Sequence, residues 1–276
     1  MQAGYLWNQY LDLCTCEEEL DLVQANRIPN PVAVGAVGGS GSRLVRNILL
    51  SLGVEMMNGI SEAGDAHAWP PMDRILSSSG ARHSSRAAMC SHTFAVLESF
   101  LQELADRPES RARVGWKNPN TFLWLPELAQ YFPQFRYVHV IRHGLDMAYS
   151  RNIRQFRMSH WYFGIQTHEM GQNPNEPIGR DRVLDYWIES NRYALKQFKL
   201  LPERHFLLVY DDLCENPQEE IERLAQFLDL SDTKNIVDAT AQVTPNPSIG
   251  RYKDNNWRAD FRPDQIEAVR ELGFSV

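Results

Sequence analysis

The sequence predicts an α/β fold, a parallel β-sheet flanked by helices on both faces. Three observations predict it. Short apolar runs at residues 32–37, 114–117, 136–142 and 205–210 alternate with stretches of helical periodicity. The first run, Val32 to Val37, is apolar at consecutive positions rather than alternate ones, as in a buried strand. The first run passes straight into a glycine-rich turn and then a helix, the entry of a doubly wound α/β unit.

Length and composition agree. The chain has 276 residues, 43% hydrophobic and 23% charged, which suits one large α/β domain with a well-buried core. A net charge of −7 disfavours a protein that coats nucleic acid, while arginines clustered around 142–157 allow a local basic pocket. The four cysteines are Cys14, Cys16, Cys90 and Cys214. The Cys14–Cys16 spacing does not suit a paired-cysteine metal knuckle and no second pair exists, so no metal is expected. Scattered thiols suit a reducing compartment. Residues 1–10 lack the basic start and apolar core of a secretory signal, and no apolar run approaches the ~20 residues of a membrane helix. The expectation is a cytoplasmic protein with no membrane span.

Taken in order, residues 1–31 read as an amphipathic extension closed by Pro29 and Pro31, and residues 32–276 as the domain. After the strand at 32–37, Leu44, Val45, Ile48, Leu49 and Leu52 recur at helical spacing. A short strand is expected at 53–57, and a polar loop with Glu62, Asp65 and His67 at 58–71. A helix follows over 93–104, then the strand at 114–117 and a helix over 122–132 closed by Pro133. The strand at 136–142 is the richest in β-branched and aromatic residues, and a helix over 145–154 follows it. Residues 158–181 have little periodicity and several Gly and Pro, the composition of a lid or substrate loop. A long helix at 183–200, the strand at 205–210, a helix at 217–228, a polar stretch at 240–262 and a last helix at 263–272 complete the chain. Trp116, Trp124, Trp161, Trp187 and His139 read as packing residues.

The chemistry begins at the glycine turn. In Gly38-Gly39-Ser40-Gly41-Ser42-Arg43-Leu44, glycines allow a phosphate close to the backbone, and the first amides of the following helix point at its oxygens. A nucleoside-triphosphate loop wants a lysine after its last glycine, but Ser42 follows Gly41, so ordinary ATP chemistry is disfavoured. In parallel sheets ligands bind beyond the carboxyl ends of the strands. The glycine turn, Lys117, Arg142 and Tyr210 all stand at or just after strand ends and should converge on one side. Arg142 with Ser150 offers a second anion cradle, because a guanidinium meets phosphate oxygens bidentately.

These motifs resemble the sulfotransferases that use 3′-phosphoadenosine 5′-phosphosulfate (PAPS), over roughly residues 32–272. Residues 38–43 look like that family's 5′-phosphosulfate loop. Residues 140–150 look like its 3′-phosphate motif, with Arg142 at the strand end and Ser150 eight residues on. Residues 208–217 look like its strand and acidic turn, whose tyrosine, here Tyr210, commonly lies near the adenine. Residues 248–252, with Arg251 and Tyr252, resemble the C-terminal loop that closes over the 3′-phosphate. The resemblance implies a P-loop nucleotide-hydrolase-like sulfotransferase fold, a nucleotide site drawn from Gly39, Ser40, Gly41, Ser42, Arg43, Leu44, Arg142, Ser150, Tyr210, Arg251 and Tyr252, PAPS as co-substrate and PAP as product.

The sequence departs from the family at two positions. Gly39 stands where many members have a basic residue before the loop serine, and Pro119 stands where cytosolic members acting on small molecules place a base histidine. Arg43 or Lys117 would then supply the missing charge, Lys117 being where several members have a catalytic lysine. Glu62 is the first choice of general base, from the region where tyrosylprotein and some carbohydrate sulfotransferases place a glutamate, followed by His67 and then Asp65. The implied reaction moves a sulfuryl group to a hydroxyl or amine of a small-molecule, carbohydrate or lipid-like acceptor, built around the variable loops 58–92 and 155–181. No nucleic acid is implied, and a homo-oligomer is allowed. The alternatives are a nucleotide kinase and a PAP-binding protein of the same fold without catalysis.

Overall fold

The computed structural model describes residues 27–28, 30–57, 64–66, 83–107, 113–165 and 178–276. Five strands pair in parallel: β1 (Val32–Ala36), β2 (Val54–Met56), β3 (Arg113–Lys117), β4 (Arg136–Ile141) and β5 (His205–Val209). Their order is β2-β3-β1-β4-β5. Val32 pairs with Gly115 on one side and with Arg136 on the other, so β1 lies at the centre. The chain runs outward from β1 on one side and later returns to the other. That reversal opens a crevice beyond the carboxyl end of β1.

Period-two alternation divides the core. Val32, Val34, Val138, Val140 and Leu208 face α1 (Ser42–Leu52) and α8 (Pro217–Phe227), meeting Val45, Ile48, Leu49, Ile221 and Leu224. Ala33, Trp116 and Tyr137 face the other layer, with Phe122, Trp124 and Leu128. A third cluster gathers Ile141, Leu145 and Trp187 under Val269 of the last helix, α11 (Pro263–Glu271). All five expected strands are present, and Trp116, Trp124 and Trp187 are buried in the packing, with Trp161 partly buried against it. Ile28 is buried as well. The amides of Arg27 and Ile28 donate to Glu98 Oε1 at 2.8 and 3.3 Å, tying the end of the N-terminal stretch to α2 (His83–Ala105).

Several elements differ from expectation. Helix α2 begins at His83, ten residues before its apolar repeat became visible, so 83–92 is helix rather than acceptor loop. The buried series Cys90, Phe94, Leu97, Leu101 and Leu104 has no large aliphatic residues upstream to extend it. The expected helix at 122–132 starts as a 3-10 turn at Pro119–Trp124, capped by the Asn118 side chain, and continues as α3 (Leu125–Tyr131). The expected helix at 145–154 divides into α4 (Gly144–Ala148) and α5 (Arg154–Ser159). Ser150 Oγ accepts from the Asn152 amide at 3.1 Å, a local bond that competes with the helical ladder. Helix α6 (Arg180–Gln197) is the expected long helix. Tyr210–Glu215 is helical and is α7; Thr233–Thr240, α9, went unforeseen, although Asp232 caps it through the Lys234 and Asn235 amides. The polar stretch 240–262 contains a 3-10 turn at Arg251–Asp254 and the short α10 (Trp257–Asp260).

Candidate active site

The glycine turn opens directly off β1. The Ser40 amide donates to Val37 O at 3.1 Å, and Ser40 is fully buried. Gly41 caps α1 with φ of 96°, a left-handed conformation suited to glycine, and a methyl group there would land on the ring of Tyr210. Tyr210 therefore packs closely against the turn. Among the described residues no side chain caps α1, and its first turn holds no acidic residue to offset the positive helix end. Leu44 is half-buried and Arg43 exposed at this end. Ser150 stands on the opposite flank, its Oγ 3.8 Å from where a Cβ on Gly39 would be.

Arg142 ends β4 at 3% exposure. Its guanidinium carbon sits 5.0 Å from the Tyr210 ring centroid. One nitrogen, Nη2, donates to Ser248 O at 2.7 Å and to Ser248 Oγ at 2.8 Å. Asp146 Oδ2 is 4.0 Å away, but that carboxylate also accepts from the Gly250 and Tyr252 amides at 2.7 and 3.2 Å. Among the described residues, buried Arg142 Nε has no partner. Asn246 Nδ2 donates to the Tyr210 hydroxyl at 2.6 Å, and Arg251 Nε to Ser248 O at 3.0 Å. Burial, then the nearby Arg142 charge, lowers the Arg251 pKa; burial raises that of Tyr210. Residues 246–252 thus fold over Arg142 and Tyr210. Tyr252 itself is buried, its ring stacked 4.7 Å from His143, and its amide is the group that bonds Asp146.

Lys117 ends β3 at 2% exposure, with Nζ 2.6 Å from Asp65 Oδ1. The Ala66 amide donates to Lys117 O at 2.9 Å, which fixes residues 64–66 against the strand end. Burial pulls the Lys117 ammonium below its ordinary pKa; Asp65 opposes this, and Arg43 and Arg46 add to it. Glu62 and His67 lie outside the described residues. The structure therefore brings the glycine turn, Ser150, Arg142, Tyr210 and Arg251 together at one edge, with Lys117 at the neighbouring strand end. Asn246 is a partner that the sequence did not mark, and Asp65, expected as a third candidate base, is instead the ion-pair partner of Lys117. Asp146 and the Gly250 and Tyr252 amides it accepts from are about a hundred residues apart in the chain. Among the described residues, no three His, Cys, Asp or Glu side chains gather as metal ligands would.

The site can be set beside known proteins. A family model described as the sulfotransferase family matches residues 31–234. A putative protein-tyrosine sulfotransferase of Caenorhabditis briggsae is 25% identical over 143 residues, 51% of this chain and 46% of that protein. An omega-hydroxy-beta-dihydromenaquinone-9 sulfotransferase of Mycobacterium bovis is 25% identical over 164 residues, 59% of this chain and 39% of that protein. The chain spans less than half the length of these two relatives. A sulfotransferase structure from Mycobacterium avium superposes with a TM-score of 0.54 at 10% identity, covering 98% of this chain and 82% of that one. The sulfotransferase domain from the curacin biosynthetic pathway gives 0.53 at 14% identity, covering 91% and 100%. At these identities the two structures speak for the shared fold. With a family match running from β1 through α8, the chain belongs to the sulfotransferase family.

Proposed function

We propose that the protein transfers the sulfuryl group of PAPS to a hydroxyl or amine of an acceptor, releasing PAP. The observation that carries this reading is that the glycine turn and Arg142 both pack against one tyrosine. Gly41 of the turn approaches the Tyr210 ring, and the Arg142 guanidinium carbon lies 5.0 Å from its centroid, with Nε buried and without a partner among the described residues. A nucleotide with phosphates at both 5′ and 3′ positions needs such a pair, and an orphaned buried guanidinium nitrogen is costly unless an oxygen reaches it.

Each residue then has a task. The turn from Gly39 through Leu44 would receive the 5′ side through backbone amides, with Arg43 adding charge at the rim. Arg142, Ser150 and Arg251 would hold the 3′-phosphate, and Tyr210 and Tyr252 would define the nucleotide wall. PAPS supplies an activated sulfuryl group that leaves with its bond electrons on the nucleotide phosphate. Lys117 would offset the charge that gathers there, as cations do in phosphoryl transfer. Glu62 is the proposed base that removes the acceptor proton, with His67 as the alternative. A small-molecule, carbohydrate or lipid-like acceptor is proposed. The named substrates of the two relatives, protein tyrosine and a menaquinone, belong to those proteins. A cytoplasmic location and a possible homo-oligomer belong to the same proposal.

A second reading, a PAP-binding protein without transfer, is favoured by one contact. Asp65 already neutralises Lys117 at 2.6 Å, and Gly39 offers no replacement charge. Incubation with PAPS and a panel of phenolic, sugar and long-chain alcohol acceptors separates the two. Acceptor-dependent PAP release supports transfer; tight PAP binding with no release under any acceptor supports the second.

A further inference from the structure

Gln155 lies in the first turn of α5, against the glycine turn. Its Oε1 accepts a hydrogen bond from the Gly38 amide. Its Nε2 donates to Asn120 Oδ1 at 2.6 Å and lies 3.3 Å from Ala36 O. A Cβ on Gly38 would stand 3.0 Å from Gln155 Cβ, so helix and turn are already in close contact. Asn120 sits three residues after Lys117, in the 3-10 turn whose cap, Asn118, donates its amide to Val34 O at 3.0 Å. One side-chain amide therefore joins the end of β1, the first amide of the glycine turn and the segment that follows Lys117. Only a group with an acceptor at one end and donors at the other does this: a carboxylate cannot donate, and a thioether does neither usefully. The Gly38 amide, being spent on Gln155, is not one of the amides left for an anion.

We infer that Gln155 is a positioning residue: it holds the glycine turn that faces the 5′ side of the nucleotide in register with the segment carrying Lys117. It does so from behind the turn. This rests on the donor reading proposed above, and the test separates the two.

PAP, adenosine 5′-monophosphate and adenosine 3′-monophosphate are titrated into the wild type, Gln155→Met, Gln155→Glu, Asn120→Ala and the Gln155→Met/Asn120→Ala double variant, with thermal unfolding measured on each. Gln155→Met should weaken PAP and the 5′-monophosphate about tenfold, the scale of a lost buried hydrogen bond or two, and leave the 3′-monophosphate unchanged. Gln155→Glu keeps the bond from Gly38, should lose less, and serves if the methionine variant does not fold. The double variant should bind PAP no worse than the weaker of its two singles, because both cut one bridge. Equal weakening of all three nucleotides would mean general loss of structure and would overturn the inference. So would unchanged affinities or strictly additive losses. Failure of the wild type to bind PAP would remove the donor reading itself, and this inference with it.

Discussion

Arg142 is held from every side but one. Tyr210 lies against it, Ser248 takes Nη2, and Asp146 is divided between it and two loop amides, which leaves Nε without an acceptor among the described residues. Charged hydrogen bonds contribute about 1.5–3 kcal/mol each. Arg142→Ala should therefore weaken PAP binding by one to two orders of magnitude in a calorimetric titration, and Arg142→Lys should recover only part, since an ammonium lacks the planar fork. Unchanged affinity in the alanine variant would remove the 3′-phosphate assignment. Glu62→Gln should leave PAP affinity intact and slow transfer by ~10²–10⁴; a variant as fast as the wild type would pass the role of base to His67 or Asp65. The placement of Arg142 at a strand end was legible in the sequence, whereas Glu62, expected from family resemblance, lies outside the described residues. The ion pair of Lys117 with Asp65 was not legible, because the strand-end lysine and the loop carboxylate meet only through the Ala66–Lys117 backbone bond.

At the scale of elements, the junction of β1 and α1 decides whether the site exists. Gly41 combines a left-handed backbone with the close approach of Tyr210. Gly41→Ala meets both obstacles, and a non-glycine residue in such a conformation costs on the order of 1–3 kcal/mol. The variant should lose PAP affinity at least tenfold, and its urea midpoint should fall. Retention of both would show that the turn and Tyr210 can separate freely. The strands were legible because continuous apolar runs survive any helical packing placed over them. The break between α4 and α5 was not, because it depends on Ser150 bonding the Asn152 amide in place of the helix ladder. Helix α9 was missed for another reason: it is eight residues long, and its inward face amounts to Ile236 and the buried Ala239, too short a repeat to stand out in a polar stretch.

Across the whole molecule, the strand order explains why residues distant in sequence share one site. With β1 central, β3 and β4 on its two sides deliver Lys117 and Arg142 to the same edge, and β5 adds Tyr210. Strand alternation made that convergence readable; the return of residues 246–252 over it was readable only through family resemblance. The same sheet carries a titratable group in its core. His139 is fully buried, with Nδ1 2.7 Å from the Tyr137 hydroxyl and Nε2 3.0 Å from Asn191 Oδ1. Asn191 donates its own amide to Trp187 O, so its Oδ1 accepts from Nε2 and the tyrosine donates to Nδ1. Burial lowers the His139 pKa to about 4. An unfolded histidine titrates near 6.5, so between these values the unfolded chain binds a proton that the native one does not. Stability should fall as pH drops from about 6.5 to about 4, by at most about 1.4 kcal/mol per pH unit from this group. Urea unfolding at pH 7, 6 and 5 measures the slope, and His139→Gln should flatten it. An equal slope in that variant would place the lost stability elsewhere.

The central claim is a nucleotide site that needs a 3′-phosphate. Calorimetric titration of the protein with PAP and, separately, with ATP tests it most directly. Tight PAP binding with no detectable ATP binding is the predicted result. ATP bound as well as PAP, with no gain from the 3′-phosphate, would contradict the account and return the glycine turn to kinase-like chemistry.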